Sequence, residues 1–198
     1  MEILNYKIII SLIAVALSFV GYGIYIRDVL RKKTIPHSFT FFIWGLTSSI
    51  IWALQVYGGA GVGAWVTLSV ALICIFIFFL SLKYGEKNIT LLDIVFLLIS
   101  LLALILWFFA KMPIWSMILL TAIEFFGFAP TIRKSWNKPQ EESLLTWEIT
   151  AFRHGLSIFA LQSFNVLTLL YPVVWVFVNL LFSIFLIVRR RQLAFISH

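Results

Sequence analysis

The chain has 198 residues, of which 62% are hydrophobic and 12% charged, with a formal net charge of +7. Soluble domains are about half apolar and about a quarter charged. This composition, with a mean hydropathy of +1.05, therefore excludes an ordinary soluble fold and requires lipid over part of the surface. The positive charge does not read as nucleic-acid binding, because the basic residues sit in short clusters between apolar runs.

Seven apolar runs each approach the roughly 20 residues that a helix needs to cross a bilayer. In chain order they cover 8–26, 38–57, 61–82, 91–110, 113–132, 144–164 and 167–188. The first is read as a membrane helix and not a signal peptide, since it has little charge before it and no small-x-small cleavage site after it. The only cysteine, Cys74, lies inside the third run, where it can form neither an intrachain disulfide nor a cysteine metal site. The GGAGVG stretch at 58–63 reads as a tight turn, because no strand precedes it as a nucleotide-binding loop would require.

The links alternate in character. RDVLRKKTIPH, KYGEKN, RKSWNKPQEES and RRRQ follow the first, third, fifth and seventh runs and hold twelve of the 15 Lys and Arg residues. Lys7 and Lys111 lie on the opposite side, and Arg153 falls within a run. The positive-inside rule then predicts seven crossings with the N-terminus outside and the C-terminus cytoplasmic. The expected location is a bacterial inner or plasma membrane.

An internal repeat is predicted as well. Gly21 and the Ile26–Arg27 pair match Gly127 and Ile132–Arg133 at an offset of 106 (127 − 21), and Ala53–Leu54–Gln55 matches Ala160–Leu161–Gln162 at 107 (160 − 53). Trp65 matches Trp175 at 110 (175 − 65), which sets Ser69 opposite Asn179. Three helices, a spacer and three helices follow from this: residues 1–86 form the first bundle, 87–112 a linker helix and 113–198 the second bundle. With one spacer crossing, the two bundles become parallel repeats about an axis along the membrane normal.

This plan resembles the SWEET sugar transporters and the wider PQ-loop family, all-α membrane proteins of seven helices in a 3+1+3 parallel repeat. That family carries a Pro-Gln pair near the cytoplasmic end of its first repeat helix, followed by basic and serine residues. Here Pro130–Thr131 stands at that place, followed by Arg133, Lys134 and Ser135, while the first repeat has Ile24–Tyr25 and no proline. The Pro139–Gln140 pair lies in the following loop and is not that motif. The resemblance implies a central site between two bundles, alternating access by rocking, and a bending role for Pro130. The alternative is that Pro130 merely ends its helix.

Charge within a membrane is costly and faces a partner or a watery cavity. Glu124 and Arg153 both lie roughly 14 Å from the basic end, near the midplane. They are expected to pair or to share a site, either as an ion pair locking two helices or as a substrate or proton site. His154 beside Arg153 is a candidate proton carrier or an ordinary packing residue. Trp175 and Asn179 share one helix face, as do Trp65 and Ser69. The family resemblance implies that this face lines the cavity, with Trp stacking on a ring and Asn bonding a hydroxyl. Gln55 and Gln162, near the outer helix ends, are candidates for an outer gate or plain interfacial residues.

The function expected is transport of a small polar solute, a sugar or other metabolite, with proton coupling and homo-oligomer formation as open additions. A receptor or scaffold that moves nothing is the alternative. No cofactor, metal site or enzymatic activity is expected, since no ligand cluster, nucleophile–base pair or paired catalytic carboxylates occur.

Overall fold

The computed structural model describes the backbone of residues 2–110 and 112–196. It also describes the side chains of these residues except 2–5, 103, 104, 106–108, 110, 195 and 196. Lys111 and His198 lie outside the described residues. The described chain is all-α: α1 is Glu2–Leu30, α2 Ser38–Tyr57, α3 Ala64–Tyr84, α4 Leu91–Ala110, α5 Pro113–Asn137, α6 Leu144–Ala160 and α7 Val166–Ile196. Short 3-10 turns at Gly61–Gly63 and Pro139–Glu141 join α2 to α3 and α5 to α6.

Helix suits these runs because it satisfies every backbone group within the segment, where no water is at hand to do so. Five helices are long and apolar enough to cross a membrane: Tyr6–Leu30, Ser38–Tyr57, Gly61–Tyr84, Pro113–Asn137 and Val166–Ala194. The other two are α6 and α4. α6 has 17 residues and carries Arg153, and the described apolar stretch of α4 is Leu91–Leu102. Large apolar side chains such as Phe19, Phe79, Phe152 and Leu181 point outward, a surface suited to lipid.

The helices differ in length from the apolar runs. α5 continues to Asn137, seven residues beyond Pro130, so this proline sits inside a helix and does not end it. It withholds the amide that would have bonded the carbonyl four residues earlier. α7 likewise runs on through its arginines to Ile196. α6 stops early, at Ala160, because Leu161 turns to an extended conformation. The following loop docks on the Gly58–Gly63 turn, through Gln162 N to the Ala60 carbonyl (3.1 Å) and Asn165 Nδ2 to the Gly58 carbonyl (2.9 Å). Asn165 then caps α7 by accepting the Leu167 amide at 2.9 Å.

α3 packs against both α1 and α2, and α7 against both α5 and α6. Across the molecule α1 lies on α6, α2 lies on α5, and α4 packs on α5. Two glycines permit the closest crossings. A methyl group on Gly21 would stand 3.0 Å from Ile149 of α6, and one on Gly127 would stand 2.8 Å from Ile43 of α2. The core beside these crossings is aromatic. Trp44, Phe128, Trp147, Trp175 and Phe182 pack ring to ring, with centroids 4.7 to 6.1 Å apart.

Candidate functional site

A cavity opens where α1, α2 and α3 meet α5, α6 and α7. Tyr22, Trp44, Ser48, Glu124, His154, Tyr171, Trp175 and Asn179 are among its walls. It leaves about 20 Å³ for the centres of water molecules, room for one or two waters. Its wall residue Trp147 packs on Phe128 and Phe182, tilted and edge to face.

Glu124 is 1% exposed. Its Oε1 accepts a hydrogen bond from Ser48 Oγ at 2.7 Å and lies 2.8 Å from Thr47 Oγ1. Thr47 has one hydroxyl proton and also stands 2.7 Å from its own helix carbonyl at Ile43, so that donor is shared. Tyr171 and Trp175 lie beside the carboxyl. Trp44 Nε1 donates to the Glu124 backbone carbonyl at 3.0 Å and holds α5 against α2 at this level. Asn179 is fully buried, and its Nδ2 donates to the Trp175 carbonyl at 2.5 Å. Only the NH2 group can make that bond, so the amide orientation is set, and Oδ1 has no protein partner.

Arg153 and Glu124 do not pair. The ion pairs of the described residues all lie elsewhere, which corrects the expected salt bridge. Matching depth placed the two charges on one level, but Arg153 turns toward α1. Its guanidinium lies 5.7 Å from the Tyr22 ring centre, with Nη2 3.1 Å from His154 Nε2. Its Nε and Nη1 make no hydrogen bond. His154 faces the cavity and packs edge-on against Tyr171 at 5.6 Å.

Of the residues singled out in the sequence, the fold thus brings Glu124, His154, Trp175 and Asn179 to one cavity, with Arg153 behind Tyr22 and His154. It does not bring Trp65 there. Trp65 is 46% exposed on the outside of α3, and Val70 supplies that helix's part of the wall. Ser69 is buried against α1, 3.2 Å from Ser18 Oγ. Gln55 is buried at the far end of α2, and Gln162 lies just past α6, its side chain against Gly61. Pro130 lies inside α5, next to Thr131, whose hydroxyl meets that of Thr40 at 3.0 Å. Trp44, Trp147, Tyr22 and Tyr171 were not foreseen. In a chain with 20 Phe, 8 Trp and 6 Tyr, no single aromatic stands out.

At the end bearing the basic loops, buried charges meet opposite charges, although Oε2 of Glu142 makes no hydrogen bond. Lys134 bonds both Glu142 and the Ile35 carbonyl. Arg190 Nη2 donates to the Glu142 carbonyl at 2.6 Å. Arg133 grips Asp93 with two bonds of 2.7 Å, and Thr90 adds two of 2.9 Å. His37 lies in the same layer, fully buried, with Nε2 3.6 Å from Asp93. Burial lowers its pKa from the ordinary 6.5 to about 4, against the pull of Asp93.

No family model, no curated protein and no solved structure matches the chain.

Proposed function

We propose that this chain is a multi-pass membrane transporter for a small polar solute, working by alternating access between two three-helix bundles. The observation that carries this reading is the cavity at the junction of α1–α3 with α5–α7. Asn179 Oδ1 there has no protein partner, and the buried Glu124 carboxyl has no cation among the described residues, as suits a site that takes up a ligand.

The 3+1+3 repeat is part of the proposal, and the helix packing supports it. Adding four to each helix number exchanges α1 on α6 for α5 on α2, counting α2 as the repeat of α6. The glycine crossings give the same support residue by residue. Gly21 and Gly127 are 106 apart, and so are their partners Ile43 and Ile149. Each repeat glycine therefore receives the equivalent isoleucine of the other half. The proposal further includes seven crossings, an outside N-terminus, a cytoplasmic C-terminus and a place near the SWEET and PQ-loop proteins, in a bacterial inner membrane.

Uptake into proteoliposomes tests the reading. Labelled solutes should accumulate above the level of empty vesicles, and Asn179→Ala should reduce uptake while the protein still reconstitutes. If every solute tried stays at the empty-vesicle level, transport falls. A receptor or scaffold is then the better reading, and the small size of the cavity is what favours it.

A further inference from the structure

Both kinds of hydrogen-bonding group lie open in the cavity wall: the indole N–H groups of Trp147 and Trp175 make no hydrogen bond, and one acceptor is left over. Asn179 Oδ1 is a fully buried acceptor without a partner. Glu124 has the Ser48 hydroxyl, a second hydroxyl shared with the Ile43 carbonyl, and Tyr171 and Trp175 beside it, but among the described residues no cation pairs with it. A carboxylate so placed lacks charge compensation. Trp44 forms the corner of a box, with Trp147 at 75° and Trp175 at 85° to its plane. Indole walls around an anion suit a ligand cation, which the rings attract and the carboxylate neutralises.

Size narrows the choice. About 20 Å³ for the centres of water molecules is far too little for a sugar ring. It does fit an ammonium group, which is about as large as water. Arg153, the nearest positive side chain, does not line the cavity and is held against Tyr22 and His154.

The geometry points to a primary organic amine as the ligand, its ammonium head donating to Glu124 and to Asn179 Oδ1 between the three indoles. This rests on the reading of the cavity as a solute site and replaces the sugar in that reading with a cation.

Tryptophan emission of the purified full chain in detergent, in potassium buffer at neutral pH, tests it. The probes are methylamine and ethylamine, each against its neutral counterpart, methanol or ethanol. The amines should shift the emission saturably, at concentrations at least about ten-fold below the alcohols. Glu124→Gln should erase that preference, and Asn179→Ala should weaken amine binding by roughly ten-fold. Alcohols that bind as well as amines overturn the proposal without any variant. So do a preference that survives Glu124→Gln, a sodium response equal to that of the amines, or silence from every probe. An amine that binds but is never taken up by proteoliposomes supports this site and removes transport. Uptake of some solute by a protein deaf to amines does the reverse.

Discussion

Lys134 and Glu142 are as deeply buried as Glu124, yet their surroundings differ in kind. At the basic end each buried charge meets an opposite charge or a carbonyl: Lys134 with Glu142 and Ile35, Arg133 with Asp93, Arg190 with the Glu142 and Pro139 carbonyls. In the cavity Glu124 has the Ser48 and Thr47 hydroxyls, Tyr171 and Trp175 but no cation, and Asn179 has an idle oxygen, while Arg153 behind the wall has two idle nitrogens. Both regions desolvate charge, but only the first sets an opposite charge beside it. A buried charge that is matched holds helices together; one left short waits for something that is not protein.

The largest effect should come from breaking the matched end. Glu142→Ala strands Lys134 in a dry layer and should cost about 3–5 kcal/mol, read as a fall in the melting temperature in detergent. The double change Lys134→Met with Glu142→Leu should recover most of it. If the single variant melts like the wild type, the two regions do not differ as described.

His37 is the exception at that end, since neither ring nitrogen has a hydrogen-bond partner. Its folded pKa lies below its unfolded value, so the unfolded chain binds the extra proton. Stability should therefore fall as pH drops from 6.5 toward 4, by up to about 3 kcal/mol. His37→Gln should flatten that dependence in melts taken across the same window.

A third variant probes the crossing between the regions. Gly127→Val drives a side chain into Ile43 and should cost about 1–3 kcal/mol, with partial relief from Ile43→Ala in the same chain. The smallest stability change belongs to the cavity. Glu124→Gln removes an uncompensated charge and should leave stability within about 1 kcal/mol of the wild type or raise it, while ligand response is lost. A large loss of stability there would mean that Glu124 is matched after all.

Glu124, His154 and Asn179 were legible because polar residues inside apolar runs are rare and must face inward. Their partners were not. Depth along a helix follows from residue counting, but direction around it does not, and so Arg153 turned toward Tyr22. Trp65 failed for a related reason. It was matched to Trp175 at an offset of 110, whereas the glycine crossings keep 106, and four residues carry a side chain about 6 Å along the axis on the same face, out of level with the cavity. Lys134 and Glu142 were hidden in a stretch of charge that reads as a solvated loop. Only the packing of Pro139, Arg190 and Ile35 around them makes it dry. The ends of α5, α6 and α7 were missed because helix does not stop where hydrophobicity does.

The paired crossings at Gly21 and Gly127 have a mechanical consequence. Two rigid bodies held at two points keep a single rotation, about the line that joins those points. Tyr22 follows one glycine and Glu124 precedes the other by three residues, so the cavity lies beside that line. Tilting the bundles about it spreads them at one end and presses them together at the other. Under the proposed alternating access, a path open to both sides at once would need a glycine to part from its isoleucine, and these two small residues would then be the guard against a leak.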